Sequence, residues 1–274
     1  MPDRYAVVGN PVAHSKSPII HAQFARQTGQ DLVYSHLLAP LDGFTATVAQ
    51  FRAAGGRGLN VTVPFKLEAF RLATAHTERA RAAEAVNTLK FDGAHVLGDN
   101  TDGAGLVRDI EGNLGLALAG RAILLMGAGG AAQGVIGPLL DAHPAALLVA
   151  NRTADKAVAL VQRVAARAGE ADIAGSGYAA LAGRRFDVVI NATSSSLQDD
   201  VPDLPSGIYA ADALAYDMMY GKGLTPFLRQ AQTEGAARLA DGLGMLVEQA
   251  AESFFVWRGV RPQSAPVIAL LKTL

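Results

Sequence analysis

Six small residues, Gly127-Ala128-Gly129-Gly130-Ala131-Ala132, follow directly on the apolar run AILLM at 122–126. No other feature of the sequence restricts the fold as much. A short, continuous apolar run halted by glycine reads as a β-strand buried on both faces. Residues 131–140 then read as a helix. Strand, glycine-rich turn and helix in that order open a parallel α/β unit, and the spacing satisfies G-x-G-x-x-G/A with Ala132 in the last place. The first glycine permits the tight turn, and the second lets backbone approach a pyrophosphate. The small last residue lets helix and strand pack closely. Free N–H groups at the helix start carry a partial positive charge suited to phosphate. The motif therefore reads as a dinucleotide site, against the plainer alternative of a bare strand–helix turn.

The end of the next strand, 146–150, selects the nucleotide. An NAD site usually carries Asp or Glu there for the ribose 2′-hydroxyl. This chain has Asn151-Arg152-Thr153, with Lys156 close behind. Cations at a helix start oppose the macrodipole, so a merely solvated Arg is the less comfortable reading. Arg152 and Lys156 would attract a 2′-phosphate, which favours NADP. Residues 122–140 are uncharged and long enough to suggest a membrane span, but five glycines and Pro138 interrupt them, so strand, turn and helix is the better reading.

From residue 121 onward, strands at 122–126, 146–150, 186–191, 209–215 and 238–240 alternate with helices at 131–140, 154–168 and 225–234, the doubly wound pattern. Upstream, strands at 5–8, 32–37 and 59–63 alternate with helices at 17–28, 42–54 and 77–84. Ser17 is read as the N-cap of the first helix, with Pro18 in its first turn. Strands at 88–91 and 94–97 flank Asp92-Gly93, a hairpin signal. A helix at 101–114 links the two regions, and helices at 245–257 and 266–274 end the chain. Two α/β domains in 274 residues match the size prior.

A net charge of −1 argues against a nucleic-acid binder, which would show a basic excess. The chain has no cysteine, which excludes disulfides, thiolate zinc sites and thiol catalysis. None of the six histidines falls in an H-x-x-x-H spacing, so no metal site is expected. With no apolar segment behind a basic N-terminus, we expect a cytoplasmic protein without a signal peptide.

Four polar clusters lie at strand ends or loops of the first region, where α/β proteins bind ligands. Ser15-Lys16-Ser17 stands at a helix start and either caps it or grips a carboxylate. In Asn60-Val61-Thr62-Val63-Pro64-Phe65-Lys66, Asn60 and Thr62 share one face of an interior strand, and such a stripe needs partners or a ligand. Lys66 follows at the strand end. Asn87-Thr88 opens the hairpin, and Gly98-Asp99-Asn100-Thr101-Asp102-Gly103 closes it, either as capping and turn residues or as ligand groups. Together these supply a Lys, an Asp and several amides and hydroxyls, an inventory suited to a small, polyhydroxylated, anionic substrate.

In order along nearly the whole chain stand GNPVAHSKSP, NVTVPFK, AVNT, GDNTDG, GAGGAA, NRT, NATS, YDMMYG followed by TPFL, and GLGMLVEQA. This series resembles the shikimate dehydrogenases closely, NVTVPFK and DNTDG most of all. The resemblance implies a two-domain α/β fold. An N-terminal substrate domain (1–102) would precede a Rossmann-type NADP-binding domain (103–243), with C-terminal helices (244–274) returning to the first. It implies NADP(H)-dependent reduction of 3-dehydroshikimate to shikimate, in the pathway to chorismate and the aromatic amino acids, by a monomer or homodimer.

Carried over residue by residue, Ser15 and Ser17 resemble the pair that holds the substrate carboxylate. Thr62, Asn87, Asp102 and Gln249 resemble the groups on its hydroxyls, with Asn60 nearby and Tyr216 as a further contact. Lys66 and Asp102 resemble the catalytic pair. Gly127, Ala128, Gly129, Gly130, Ala131, Asn151, Arg152, Thr153 and Lys156 resemble the NADP contacts, and Thr193, Met218 and Gly242 the nicotinamide end. The chain departs from the family in having Lys156 where Arg is expected, and Ser195-Ser196 in place of Ala-Gly. Rival readings are a relative that uses quinate or an amino-substituted ring and prefers NAD, a noncatalytic NADP-binding sensor, and a metal-dependent enzyme. Arg152 with the Ser15/Ser17 pair, the retained Lys66 and Asp102, and the histidine spacing disfavour each in turn.

Overall fold

A computed structural model describes residues 1–193 and 202–274. The chain divides into two compact units, Met1–Gly105 with Leu246–Leu274, and Leu106–Met245. No helix among the described residues is long and apolar enough to cross a membrane.

The first unit runs β1 (Asp3–Gly9), α1 (Ser17–Thr28), β2 (Leu32–Leu38), α2 (Phe44–Ala53), β3 (Gly56–Val61), α3 (Lys66–Leu72), β4 (Ala75–His76), α4 (Glu78–Ala83), β5 (Thr88–Asp92) and β6 (His95–Asp99). Its sheet has the order β2-β1-β3-β5-β6-β4. β1 is parallel to β2 and β3, whereas β5 runs antiparallel to both β3 and β6. The hairpin closes around Gly93, whose positive φ of 55° is free for glycine.

The strand directions decide where side chains meet. The carboxyl ends of β1, β3 and β6 and the start of β5 fall on one edge of the sheet. The segments that follow or precede them carry Ser15, Thr62, Lys66, Asn87 and Asp102. Thr62 N–H donates to the Val8 carbonyl and Asn10 N–H to the Val63 carbonyl, which binds the loops after β1 and β3 together. One face of this sheet is an aliphatic and Phe core built on Val8, Leu59, Val61, Phe65 and Leu89.

The second unit runs from α5 (Asp102–Arg108), which crosses the unit boundary, through a π-helical turn (Asp109–Asn113), β7 (Ala122–Met126), α6 (Gly130–Asp141), β8 (Ala146–Ala150), α7 (Ala154–Val164), β9 (Asp172–Ser176), β10 (Phe186–Asn191), β11 (Tyr209–Asp217), α8 (Pro226–Thr233) and β12 (Arg238–Ala240). Its sheet, β12-β11-β10-β7-β8-β9, is parallel throughout. Strand order reverses between β7 and β10, the position where open α/β sheets bind ligands. Ile123, Leu125, Leu147, Val149, Val188 and Ile190 enter one core, and Leu124, Met126, Leu148, Ala150 and Val189 the opposite one. Burial on both faces is the reason these strands read as unbroken apolar runs.

α9 (Leu243–Arg258) and α10 (Ala265–Leu271) end the chain, and from Leu246 onward they belong to the first unit. There Trp257 stacks on Tyr5 at 4.6 Å between ring centroids and donates to the Leu89 carbonyl.

Several local expectations change. Lys16 already has helical backbone angles, so Ser17 lies inside α1 and is not its N-cap. Ser15 instead accepts the Ser17 N–H at 3.3 Å. α3, β4 and β9 have no counterpart among the expected elements, because each is too short to show a period. The expected helix at 101–114 stays α-helical only to Arg108 before widening into the π-helical turn.

Candidate active site

Lys66 opens α3, and its Nζ donates to Asp102 Oδ2 at 2.6 Å; the two side chains are 30% and 12% exposed. The other oxygen, Asp102 Oδ1, accepts from Asn87 Nδ2 at 2.7 Å. Asn100 ties down the segment by accepting the Asp102 N–H and donating to the Ala85 carbonyl. Its neighbour Asp99 takes two guanidinium bonds from Arg79, and Arg79 also reaches Glu252. Asp102 is thus held, nearly buried, in an ion pair whose more exposed partner is Lys66.

Asn87 is buried and can adopt only one orientation. Its Oδ1 accepts the Thr101 backbone N–H at 2.9 Å, and a backbone N–H can only donate. Its Nδ2 faces Asp102, an acceptor when ionised. Gln249, on α9, points Oε1 toward Asn87 Nδ2 at 3.4 Å and Thr101 Oγ1 at 3.5 Å. A Cβ on Gly105 would collide with the Gln249 backbone, so glycine there permits that approach. Ser15 and Ser17 share a 3.1 Å hydroxyl–hydroxyl contact, and Ser17 faces the buried Tyr34 phenol. Thr62 is half-buried, its methyl against Gly9 at the end of β1.

Two expected substrate contacts are engaged elsewhere. Asn60 is buried, its Oδ1 accepting from Tyr34 at 2.7 Å and its Nδ2 donating to Ser253 at 2.9 Å and Thr88 at 3.2 Å. Tyr216 is fully buried in the second unit and donates to Asp109 at 2.7 Å. Burial, reinforced by Asp109, pushes its phenol well above the ordinary tyrosine range, so it remains a donor. Ser253 is absent from the residues expected at the site. Its only available signal was a spacing of four from Gln249, which puts both on one face of a helix.

In the second unit Gly127 ends β7 with φ at 106°, and a Cβ there would press on the Ala192 carbonyl and Thr193. The turn therefore sits against the end of β10, at the reversal of strand order. Among the described residues, a Cβ on Gly129 or Gly130 would meet nothing within 4 Å beyond its own chain neighbours and helix backbone. The protein's own packing does not demand glycine at either position, whereas a pyrophosphate lying against the α6 N-terminus would. Arg152, Thr153 and Lys156 are exposed, and Asn151 donates to the Thr153 carbonyl. A shallow groove of about 690 Å³ lies against Ala128, Gln133, Lys156, Ala159, Gln162 and Arg163. These residues fit a dinucleotide with a 2′-phosphate.

Thr193 is fixed by two bonds to Asn191 Oδ1. Met218 N–H donates to the Asn191 carbonyl, and a Cβ on Gly242 would run into the Met218 carbonyl. The buried Asp217 joins these loops by accepting from Asn191, the Met219 N–H and Thr225. Ser195 and Ser196 lie outside the described residues. Among the described residues, no group of three His, Asp or Glu could hold a metal.

Known proteins match the chain over its whole length. The family model described as Shikimate dehydrogenase substrate binding domain matches residues 7–89, and Shikimate / quinate 5-dehydrogenase matches 110–198. The Shikimate 5'-dehydrogenase C-terminal domain matches 242–272. A Nitrosospira multiformis protein named Shikimate dehydrogenase (NADP(+)) is 66% identical over 273 residues, 100% of this chain and 98% of the relative. The crystal structure of an Ael1 enzyme from Pseudomonas putida is 52% identical with a TM-score of 0.92, covering 98% of both chains. Shikimate 5-dehydrogenase from Thermus thermophilus, solved with NADP(H) and shikimate, is 30% identical with a TM-score of 0.86, covering 99% of both. With identity this high over the full length, the chain belongs to the shikimate dehydrogenase family.

Proposed function

We propose that the chain is an NADP-dependent shikimate dehydrogenase, reversibly reducing 3-dehydroshikimate to shikimate on the route to chorismate. The observation that carries the reading is the Lys66–Asp102 ion pair, oriented by Asn87 at the polar edge of the first unit's sheet. The first unit binds substrate and the second binds NADP(H). The same reading puts the protein in the cytoplasm, as a monomer or a homodimer.

Ser15 and Ser17 hold the substrate carboxylate, and Thr62, Asn87, Asp102 and Gln249 hold its hydroxyls. Gly127 to Ala131 accept the pyrophosphate, Asn151, Arg152, Thr153 and Lys156 the adenosine end with its 2′-phosphate, and Thr193, Met218 and Gly242 flank the nicotinamide. When bound, NADPH supplies the hydride. Lys66 has three N–H donors; one is committed to Asp102, leaving two for the ketone oxygen. As charge develops on that oxygen, the ammonium stabilises it and delivers the proton that completes the alcohol. Asp102 aims the ammonium and accepts from a neighbouring substrate hydroxyl.

The test follows NADPH absorbance with shikimate and NADP⁺, with quinate and NAD⁺ in parallel. Rapid reduction with shikimate and NADP⁺ alone is expected. Lys66→Ala is expected to lose most of kcat with little change in KM for NADP⁺, and an active variant would overturn the assignment.

A further inference from the structure

We infer that Ser253, in neither the substrate nor the cofactor set, is a positioning residue that braces Thr88 and Thr101, the two hydroxyls hydrogen-bonded to the Asn87 amide. The inference rests on the reading that Asn87, Asp102 and Lys66 carry the chemistry. Ser253 lies one helical turn beyond Gln249 on α9 and is fully buried. Its Oγ meets Thr88 Oγ1 at 2.7 Å, Asn60 Nδ2 at 2.9 Å and Thr101 Oγ1 at 3.2 Å. A single hydroxyl thus joins β3, β5, α9 and the segment entering α5.

Counting protons gives the network a direction. Asn60 Nδ2 can only donate, so it fills one lone pair of Ser253. Asn87 must present Nδ2 to Asp102 and Oδ1 to the Thr101 backbone N–H. Thr88 therefore donates to Asn87 Oδ1, at 2.9 Å, and Thr101 Oγ1 accepts from Asn87 Nδ2, also at 2.9 Å. With its one proton spent on Asn87, Thr88 must accept from Ser253. Thr101, with its oxygen facing Asn87, donates to Ser253. Ser253, Thr88, Asn87 and Thr101 then form a closed ring in which every bond points the same way round, and such rings reinforce their members. The Gln249 carbonyl, 3.0 Å from Ser253, is the competing acceptor and lies farther away than Thr88.

Removing the Ser253 hydroxyl opens the ring. Thr101 then turns its proton toward Asn87 Oδ1, 3.2 Å away, or Gln249 Oε1. Thr88 keeps only the Asn60 amide as a donor, and the two hydroxyls that hold the Asn87 amide lose their shared partner, so the amide is held less rigidly. Asp102 then loses part of its orientation without any change in the second unit.

The test measures initial rates for the full chain and for Ser253→Ala, Ser253→Thr, Thr88→Val and Lys66→Met, varying shikimate and NADP⁺ separately, with thermal melts of each. Loss of a buried hydrogen-bond partner is expected to lower kcat/KM for shikimate by about 10- to 100-fold in Ser253→Ala. KM for NADP⁺ should stay within about twofold, since the second unit keeps all its contacts. Ser253→Thr should recover most of the rate even if its melting temperature falls, which a purely structural role would not produce. Should Ser253→Ala fail to fold, Thr88→Val opens the same ring and must show the same split. Native kcat/KM in a folded ring-opened variant, or an equal loss in Ser253→Ala and Ser253→Thr, overturns the inference. An active Lys66→Met would instead sink the catalytic reading on which it rests.

Discussion

Acidification should destabilise the first unit through one buried histidine. His21 is fully buried, stacked on Tyr34 at 4.2 Å and 8° between planes, with Phe24, Phe254 and Trp257 around it. Among the described residues neither ring nitrogen makes a well-formed hydrogen bond, and the Asn60 side chain is the polar group nearby that favours protonation. Burial holds its pKa down to about 3 from 6.5, with only nearby Asn60 opposing. The folded chain therefore refuses a proton that the unfolded chain accepts at 6.5. The stabilisation is complete above 6.5 and drains away as pH falls toward 3. At about 1.4 kcal/mol per unit, the loss between about pH 8 and 5.5 is about 1.4 kcal/mol from this residue.

Urea unfolding at intervals across that window, for the native chain and for His21→Phe, isolates the contribution. Phenylalanine keeps an aromatic ring in the stack and cannot titrate. The shifted carboxyls, Asp3 and Glu252, move below their ordinary values, and the shifted tyrosines move above theirs, so both lie outside the window. The native slope should exceed the variant's by the stated amount. Equal slopes would show that His21 is not held neutral, and the reasoning from burial would fail.

Arg152→Gln should raise KM for NADP⁺ by about 10- to 100-fold, the worth of a charge-assisted bond, while leaving NAD⁺ kinetics nearly unchanged; equal effects on both would remove Arg152 from the 2′-phosphate. Gly130→Ala should melt like the native chain, since among the described residues its Cβ meets nothing within 4 Å, yet bind NADP⁺ more weakly in fluorescence titration. A lowered melting temperature with unchanged binding would contradict that. Arg79→Met leaves the buried Asp99 carboxylate without its cation, with Thr77 and the Asn100 N–H as remaining donors, and should cost about 3 kcal/mol in urea unfolding; a change below ~1 kcal/mol would mean those two donors suffice. Tyr216→Phe should cost about 1–3 kcal/mol by leaving Asp109 short of a donor. Native stability with a raised KM for shikimate would instead restore Tyr216 as a substrate contact.

The second unit is largely legible in the sequence because its signals are local. A strand buried on both faces is a continuous apolar run wherever it lies, and 122–126, 146–150 and 186–191 are bounded as the structure has them. The glycine turn carries its own geometry, since φ at Gly127 and the open space at Gly129 and Gly130 concern the backbone and the absence of side chains. Short elements such as α3, β4 and β9 are not visible, because seven residues or fewer hold too little periodicity to separate from a loop.

The order of residues is enough to name the chemically capable groups and to place them after strands: Lys66, Asn87, Asp102, the glycine turn and Arg152. Which polar side chains are spent on one another depends instead on how the elements pack. Asn60 and Tyr216 read as ligand groups, and in the structure one is bonded to Tyr34, Thr88 and Ser253 and the other to Asp109, from distant points in the chain. Ser253 and Asn60 are 193 positions apart and meet because residues 246–274 complete the first unit. Periodicity marks which face of an element is apolar, but it carries no information about which distant element will cover it. That pairing comes from long-range packing, and through it each hydroxyl or amide finds its partner.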